Sequence, residues 1–258
     1  MRRMRNALTI TLVLGLCAGC GPPPKKPVPD AGPDTSCGLD CVAQERYGLV
    51  VKRCFEYSDS QSGANPASLG VEVKAVEPLE GDVKALPVEY TRGGQPVMTD
   101  YFLLTNGDLL LARRTFQPGH SVTYKDEGGN IIGTPWLKAG TVVAENFTTN
   151  TQADVVVPDP GVRHTDPTAF TVVTQAPSSS EKTVPAGTFP DAFKMIFSEN
   201  PAHGADPRRV FMPGTGFTLF SSTFSDATGG SAQEYRLQKI RDIGSADGGS
   251  TMCGFGSP

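Results

Sequence analysis

Two short stretches set an imidazole close to a carboxylate: His164-Thr165-Asp166-Pro167 and His203-Gly204-Ala205-Asp206-Pro207. If the two met at one rim, His164, Asp166, His203 and Asp206 would supply two imidazoles and two carboxylates, a donor set suited to a divalent metal. Asp-Pro and Gly also mark turns, and a histidine in a polar loop is commonly just solvated. The second reading is preferred, so neither a metal nor any other cofactor is expected.

Other reactive arrangements are sparse. Nucleophilic hydrolases of the elbow type need Gly-x-Ser-x-Gly, and no such pentapeptide is present. Gly214-Thr215-Gly216 could be taken for a phosphate cradle, but cradles join a strand to a helix and no helical pattern follows. A sugar cleft with paired carboxylates needs an aromatic platform, whereas 13 Phe and 6 Tyr with a single Trp, Trp136, look like core fillers. Catalysis is therefore not expected. One apolar feature stands out: Phe193, Met195 and Phe197 share a strand face, with Phe217 on a later strand. Such a face could enclose a lipid or other apolar ligand. A packed interior needs the same alternation, and that reading is preferred.

The elements that would position these residues are strands. Leu49–Tyr57 is rich in β-branched and aromatic residues, and Gly70–Glu77 alternates apolar with charged. Tyr101–Leu104 and Leu109–Ala112 flank Asn106-Gly107, whose two positive-φ positions predict a type I′ hairpin. Ser121–Lys125 and Asn130–Ile132 form a second hairpin around Asp126–Gly129. Thr141–Thr148, Ala153–Val157, Ala169–Gln175, Ala192–Ser198, Arg208–Met212, Gly216–Phe224 and Gln233–Ile243 continue the series. Helical pattern is confined to one turn within Cys37–Gly48, capped by Asp40. With 29 Gly and 22 Pro as punctuation, this predicts an all-β domain, an antiparallel sandwich or open barrel with a short N-terminal helical turn.

The beginning of the chain decides its address. Arg2, Arg3 and Arg5 precede an apolar run, Ala7–Leu16, too short to span a bilayer, and then Cys17-Ala18-Gly19-Cys20. That layout is a secretory signal. Three of the 23 basic residues and none of the 27 acids lie in it, so the 239 residues from Cys20 onward carry about −7. Such a chain lacks the clustered basic footprint of a nucleic-acid binder, and nucleic acid is excluded as a partner. Gly21–Ser36, with six prolines, reads as a stiff tether before a single domain over 37–258.

Four cysteines follow the tether: Cys37, Cys41, Cys54 and Cys253. In an exported chain they predict two disulfides of open connectivity. The preferred pairing is Cys41–Cys54 and Cys37–Cys253.

Leu14, Leu16 and Cys17-Ala18-Gly19-Cys20 resemble the lipobox of bacterial lipoproteins, although Cys17 stands where that family usually has Leu. The resemblance implies cleavage after Gly19, acylation of Cys20 and a membrane partner reached through the lipid. Gly21, where an Asp would signal inner-membrane retention, implies the outer membrane, on its periplasmic or surface side. In the second half, Pro135–Gly140, Thr183-Val184-Pro185-Ala186-Gly187-Thr188-Phe189 and Phe211-Met212-Pro213-Gly214-Thr215-Gly216 together resemble an uncharacterised β-domain of secreted bacterial proteins over roughly 101–243. That resemblance implies a curved antiparallel sheet, an open half-barrel similar in shape to Lol-type lipoprotein carriers, and no catalytic residues. The expected role is a membrane-anchored envelope lipoprotein with a binding, structural or interaction function. The alternatives are a periplasmic carrier for an apolar ligand and a metal-dependent enzyme.

Overall fold

The computed structural model describes residues 39–59, 68–117, 119–158, 161–203, 208–222, 233–243 and Cys253. Cys20, Cys37 and Asp206 lie outside them.

One helix comes first. Asp40 accepts a hydrogen bond from Ala43 N at 3.0 Å and caps α1 (Cys41–Tyr47), which Gly48 closes in the left-handed region, φ +68°. A side chain at Gly48 would strike the Thr215 backbone at 2.3 Å, so that position also permits the close approach of helix and barrel.

The strands are β1 (Arg53–Asp59), β2 (Ser68–Val73), β3 (Glu77–Glu80), β4 (Val83–Arg92), β5 (Gln95–Thr105), β6 (Asp108–Phe116), β7 (His120–Lys125), β8 (Thr134–Leu137), β9 (Asn146–Val157), β10 (Val162–Gln175), β11 (Thr183–Val184), β12 (Gly187–Thr188), β13 (Phe193–Asn200), β14 (Arg208–Met212), β15 (Gly216–Ser222) and β16 (Gln233–Asp242). The main sheet runs β2-β1-β16-β15-β14-β13-β10-β9-β7-β6-β5-β4, and β2 then pairs with β4. The result is a closed antiparallel barrel of twelve strands. All-β curvature is as expected, and closure goes further than a half-barrel or sandwich. The β5–β6 turn has φ +54° at Asn106 and +82° at Gly107, as a type I′ turn requires.

Some boundaries differ from expectation. Thr141–Thr148 and Ala153–Val157 were expected as two strands, but the chain bulges at Ala144 (φ +71°) and runs as one twelve-residue strand from Asn146. His164, placed in a loop by its Asp-Pro neighbour, lies inside the fourteen-residue β10.

The predicted cysteine pairing is corrected. Cys54 on β1 is bonded to Cys253, with Cα atoms 5.5 Å apart. Cys253 Sγ also lies against Phe55 O of the same strand. Cys41 is disulfide-bonded as well, but not to Cys54. Closing a span of 199 residues removes about 5 kcal/mol of unfolded-chain entropy.

A twelve-strand wall encloses more width than eight strands, whose side chains just fill the interior. Large side chains take up the difference: Trp136, Arg114, Arg209, Tyr57, Tyr90, Tyr124, Tyr235 and Phe102 are among the most completely buried. β8, paired with β6, carries Trp136 into this centre. A small second cluster of Ala192, Val210 and Leu219 is joined by Phe189, which directly follows the β11–β12 hairpin.

Candidate functional site

Two polar clusters occupy the barrel. The central one begins on β5, whose inward stripe Met98, Asp100, Phe102, Leu104 is apolar except for Asp100. Arg114 of β6 donates to that carboxylate through Nε (2.6 Å) and Nη2 (3.0 Å). Tyr90 of β4 donates its hydroxyl proton at 3.1 Å. Arg209 of β14 donates to Tyr90 Oη at 2.8 Å and approaches Asp100 at 3.5 Å.

Rings complete the cage. The Arg209 guanidinium lies 4.4 Å from the Trp136 ring centre, 4.8 Å from Phe217 and 5.0 Å from Phe220. Cation–π attraction of this kind is strongest where water is excluded. Asp100 and Arg209 are wholly buried and Arg114 nearly so. Two buried cations thus share one carboxylate, and those three aromatic faces, with the Tyr90 ring 5.6 Å from Arg209 as a fourth, take up the remainder.

The apolar-ligand candidates Phe193, Met195, Phe197 and Phe217 all face this interior. They are brought together but packed: Phe197 is 4.9 Å from Trp136, Phe217 is 6.0 Å from Trp136, and Phe193 and Phe217 both pack at an angle against Phe211. At this level the barrel is solid.

The second cluster sits toward the rim. The inward side of β10 presents His164, Asp166 and Thr168 in succession. The segment after β13 folds back onto it, held by His203 N donating to Glu199 Oε2 at 2.9 Å. His203 Nε2 lies 3.3 Å from Thr168 Oγ1 and 3.8 Å from Asp166 Oδ2, while His164 Nε2 lies 3.2 Å from the same Asp166 oxygen. Below them Tyr124 donates to Glu199 Oε1 at 2.7 Å. Burial, then the Glu199 carboxylate, push the Tyr124 phenol well above its ordinary pKa, keeping it a neutral donor.

Three of the four metal candidates therefore converge, while Asp206 lies outside the described residues. Among the described residues no trio of His, Cys, Asp or Glu stands in a metal-holding arrangement. The expectation that the histidines are solvated loop residues is corrected: His203 and His120 are buried, and only His164, on a strand, is substantially exposed. Sheet curvature places His203 under cover, since β10 outruns β13 by seven residues and the returning chain fills the step.

Sequence reasoning missed the central cluster. Asp100 in phase with an apolar stripe was the available signal. In the tandem pairs Arg113-Arg114 and Arg208-Arg209 nothing local says which arginine turns inward.

A third feature lies where α1 meets the barrel. Tyr47, Leu137, Phe193, Phe211 and Pro213 line a pocket of about 380 Å³, with Arg46 and Lys138 at its margin. Tyr47 donates to Gly107 O, and burial pushes its phenol up to about 12.

No family model matches the chain, and no curated protein or solved structure matches it either.

Proposed function

We propose that the chain is an envelope lipoprotein, acylated at Cys20 and held at the outer membrane, whose barrel serves as a non-catalytic binding or interaction module. The observation that carries the second half of this reading is the filled centre. Asp100, Arg114 and Arg209 are engaged with one another, with Tyr90 and with aromatic rings, and all are cut off from solvent. A barrel occupied by its own side chains offers other molecules its wall and rim, not a reaction chamber. The lipobox-like Cys17-Ala18-Gly19-Cys20 supports the first half, since two or more acyl chains anchor a protein stably where one does not. Membrane fractionation and intact mass test it: Cys20→Ser releases the protein and removes the acyl mass. A variant equally membrane-bound and unshifted in mass sinks the anchoring reading.

A second reading is a carrier for a small apolar molecule. The pocket of Tyr47, Phe193 and Phe211 favours it, because a few hundred Å³ with an aromatic lining suits such a ligand. Native mass spectrometry of the full mature chain decides between the two: a co-purified lipid lost in Phe193→Ser establishes the carrier, and a ligand-free mass leaves the interaction module.

A further inference from the structure

The pocket beside α1 differs from neighbouring hollows in the sign of its charge. The hollows along β9 are lined by Lys125 with Asp126 and Glu127, or by Lys138 with Glu145, so each holds both signs. The lining here contains two cations, Arg46 and Lys138, and no carboxylate. Leu137, Phe193 and Phe211 of its wall are buried, whereas Arg46 and Lys138 are exposed. Apolar surface therefore lies deep, and positive charge lies at the mouth.

Local structure brings both cations to one rim. Gly214 N donates to Arg46 O at 2.7 Å, which fixes the end of α1 against the β14–β15 turn. Ala139 N donates to Asp108 Oδ1 at 2.6 Å and ties the segment after β8 to the β5–β6 turn. Gly107 of that turn sits between the two: a Cβ built there would meet Ala139 Cβ at 3.2 Å and Arg46 Nη1 at 3.4 Å. Burial raises the Tyr47 phenol, and the Arg46 charge is the largest influence opposing that rise, so the guanidinium lies close to the pocket wall. Unlike the arginines around Asp100, neither Arg46 nor Lys138 forms an ion pair among the described residues. Lys138 rests its ammonium 4.6 Å from the Phe147 ring centre, a weak contact where water has access.

We propose that this pocket takes a single-chain amphiphile with an anionic head, of which a long-chain carboxylate is the simplest member. The tail lies against Leu137, Phe193 and Phe211. The carboxylate accepts from the Arg46 guanidinium, whose planar fork matches two oxygens, and Lys138 supplies the second cation. A volume of about 380 Å³ is at the small end of ligand sites, which selects one chain over two. The inference rests on the carrier reading and sharpens it: a neutral ligand bound equally well would leave the carrier and remove the anionic head.

Titration calorimetry on the full mature chain bearing Cys20→Ser, at about pH 8 where a carboxylate is ionised, compares three probes of one tail length: decanoate, 1-decanol and decyltrimethylammonium. Decanoate is expected to bind about tenfold tighter than decanol, and the ammonium weakest. Arg46→Gln should bring decanoate down to the affinity of decanol and leave decanol unchanged, while Arg46→Lys restores part of the preference. Lys138→Gln gives a smaller loss, and Phe193→Ser weakens decanoate and decanol alike. Decanol binding as tightly as decanoate overturns the proposal and spares the carrier reading. So does a preference for decanoate that survives Arg46→Gln combined with Lys138→Gln. Binding of none of the three overturns both.

Discussion

The centre and the rim of this barrel use the same chemistry, carboxylates held by cations, imidazoles and hydroxyls, under opposite solvation. Asp100 accepts two Arg114 bonds within a wholly buried cage. Asp166 meets His164 and His203 at 3.2 and 3.8 Å with about a third of its side chain in water. Coulomb attraction in the interior is several-fold that near the surface, and the penalty for an orphaned charge grows with it. The difference teaches that the central cluster holds the barrel together, whereas the rim cluster is free to change at little cost.

The sharpest way to break that contrast is Asp100→Ala. It leaves two buried guanidinium groups without their carboxylate and is expected to cost about 3–5 kcal/mol in equilibrium denaturation. A loss below about 1 kcal/mol would erase the distinction between centre and rim. Trp136→Ala comes next. It empties a site packed by Phe102, Phe197 and Arg209, and about 3 kcal/mol should go, the usual range for a large aromatic deletion.

A smaller effect concerns Asp154, which faces outward with Arg163 at 2.6 Å and Lys125 at 3.2 Å. The hydrogen bond from Arg163 holds its carboxyl below the ordinary range, with Lys125 assisting against the cost of burial. A depressed carboxylate contributes stability above its unfolded value of about 3.9, lost as pH falls through the lower folded value. Acid titration should therefore loosen the β9–β10 hairpin below about pH 4, and Asp154→Asn should flatten that part of the profile. Backbone amide exchange in Val155–Arg163 reads this directly.

The smallest change expected is His203→Ala. Its Nε2 contact to Thr168 is lost, but the backbone bond from His203 N to Glu199 survives, so the cost should stay within about 1 kcal/mol. A larger loss would show that the rim, too, is structural.

Local patterns carried much of the fold. Asp40 and Gly48 delimit α1, Asn106-Gly107 makes its turn, and Pro185-Ala186-Gly187 makes another. Each depends on backbone preferences within a few residues, so each is legible in one dimension. The disulfide was not legible: which cysteine meets Cys253 depends on Cys253 lying against β1 at Cys54 and Phe55, a contact across 199 residues. Nor was the burial of His203, since the Gly and Asp-Pro around it suit a solvated turn equally well. Only the unequal lengths of β10 and β13 put it under cover.

The amino-acid sequence by itself determined that this chain is built of strands, because period-two alternation and turn residues act locally. Which arginines face inward was decided by the tertiary structure. Between Tyr101 and Phe102 the register with β6 slips by one residue at Ala112, and that bulge turns Arg114 inward and Arg113 outward. A one-residue slip reverses every side chain beyond it. The buried cage around Asp100 exists because the slip occurs there and because β2 meets β4, closing a wall wide enough to need arginines and a tryptophan to fill it.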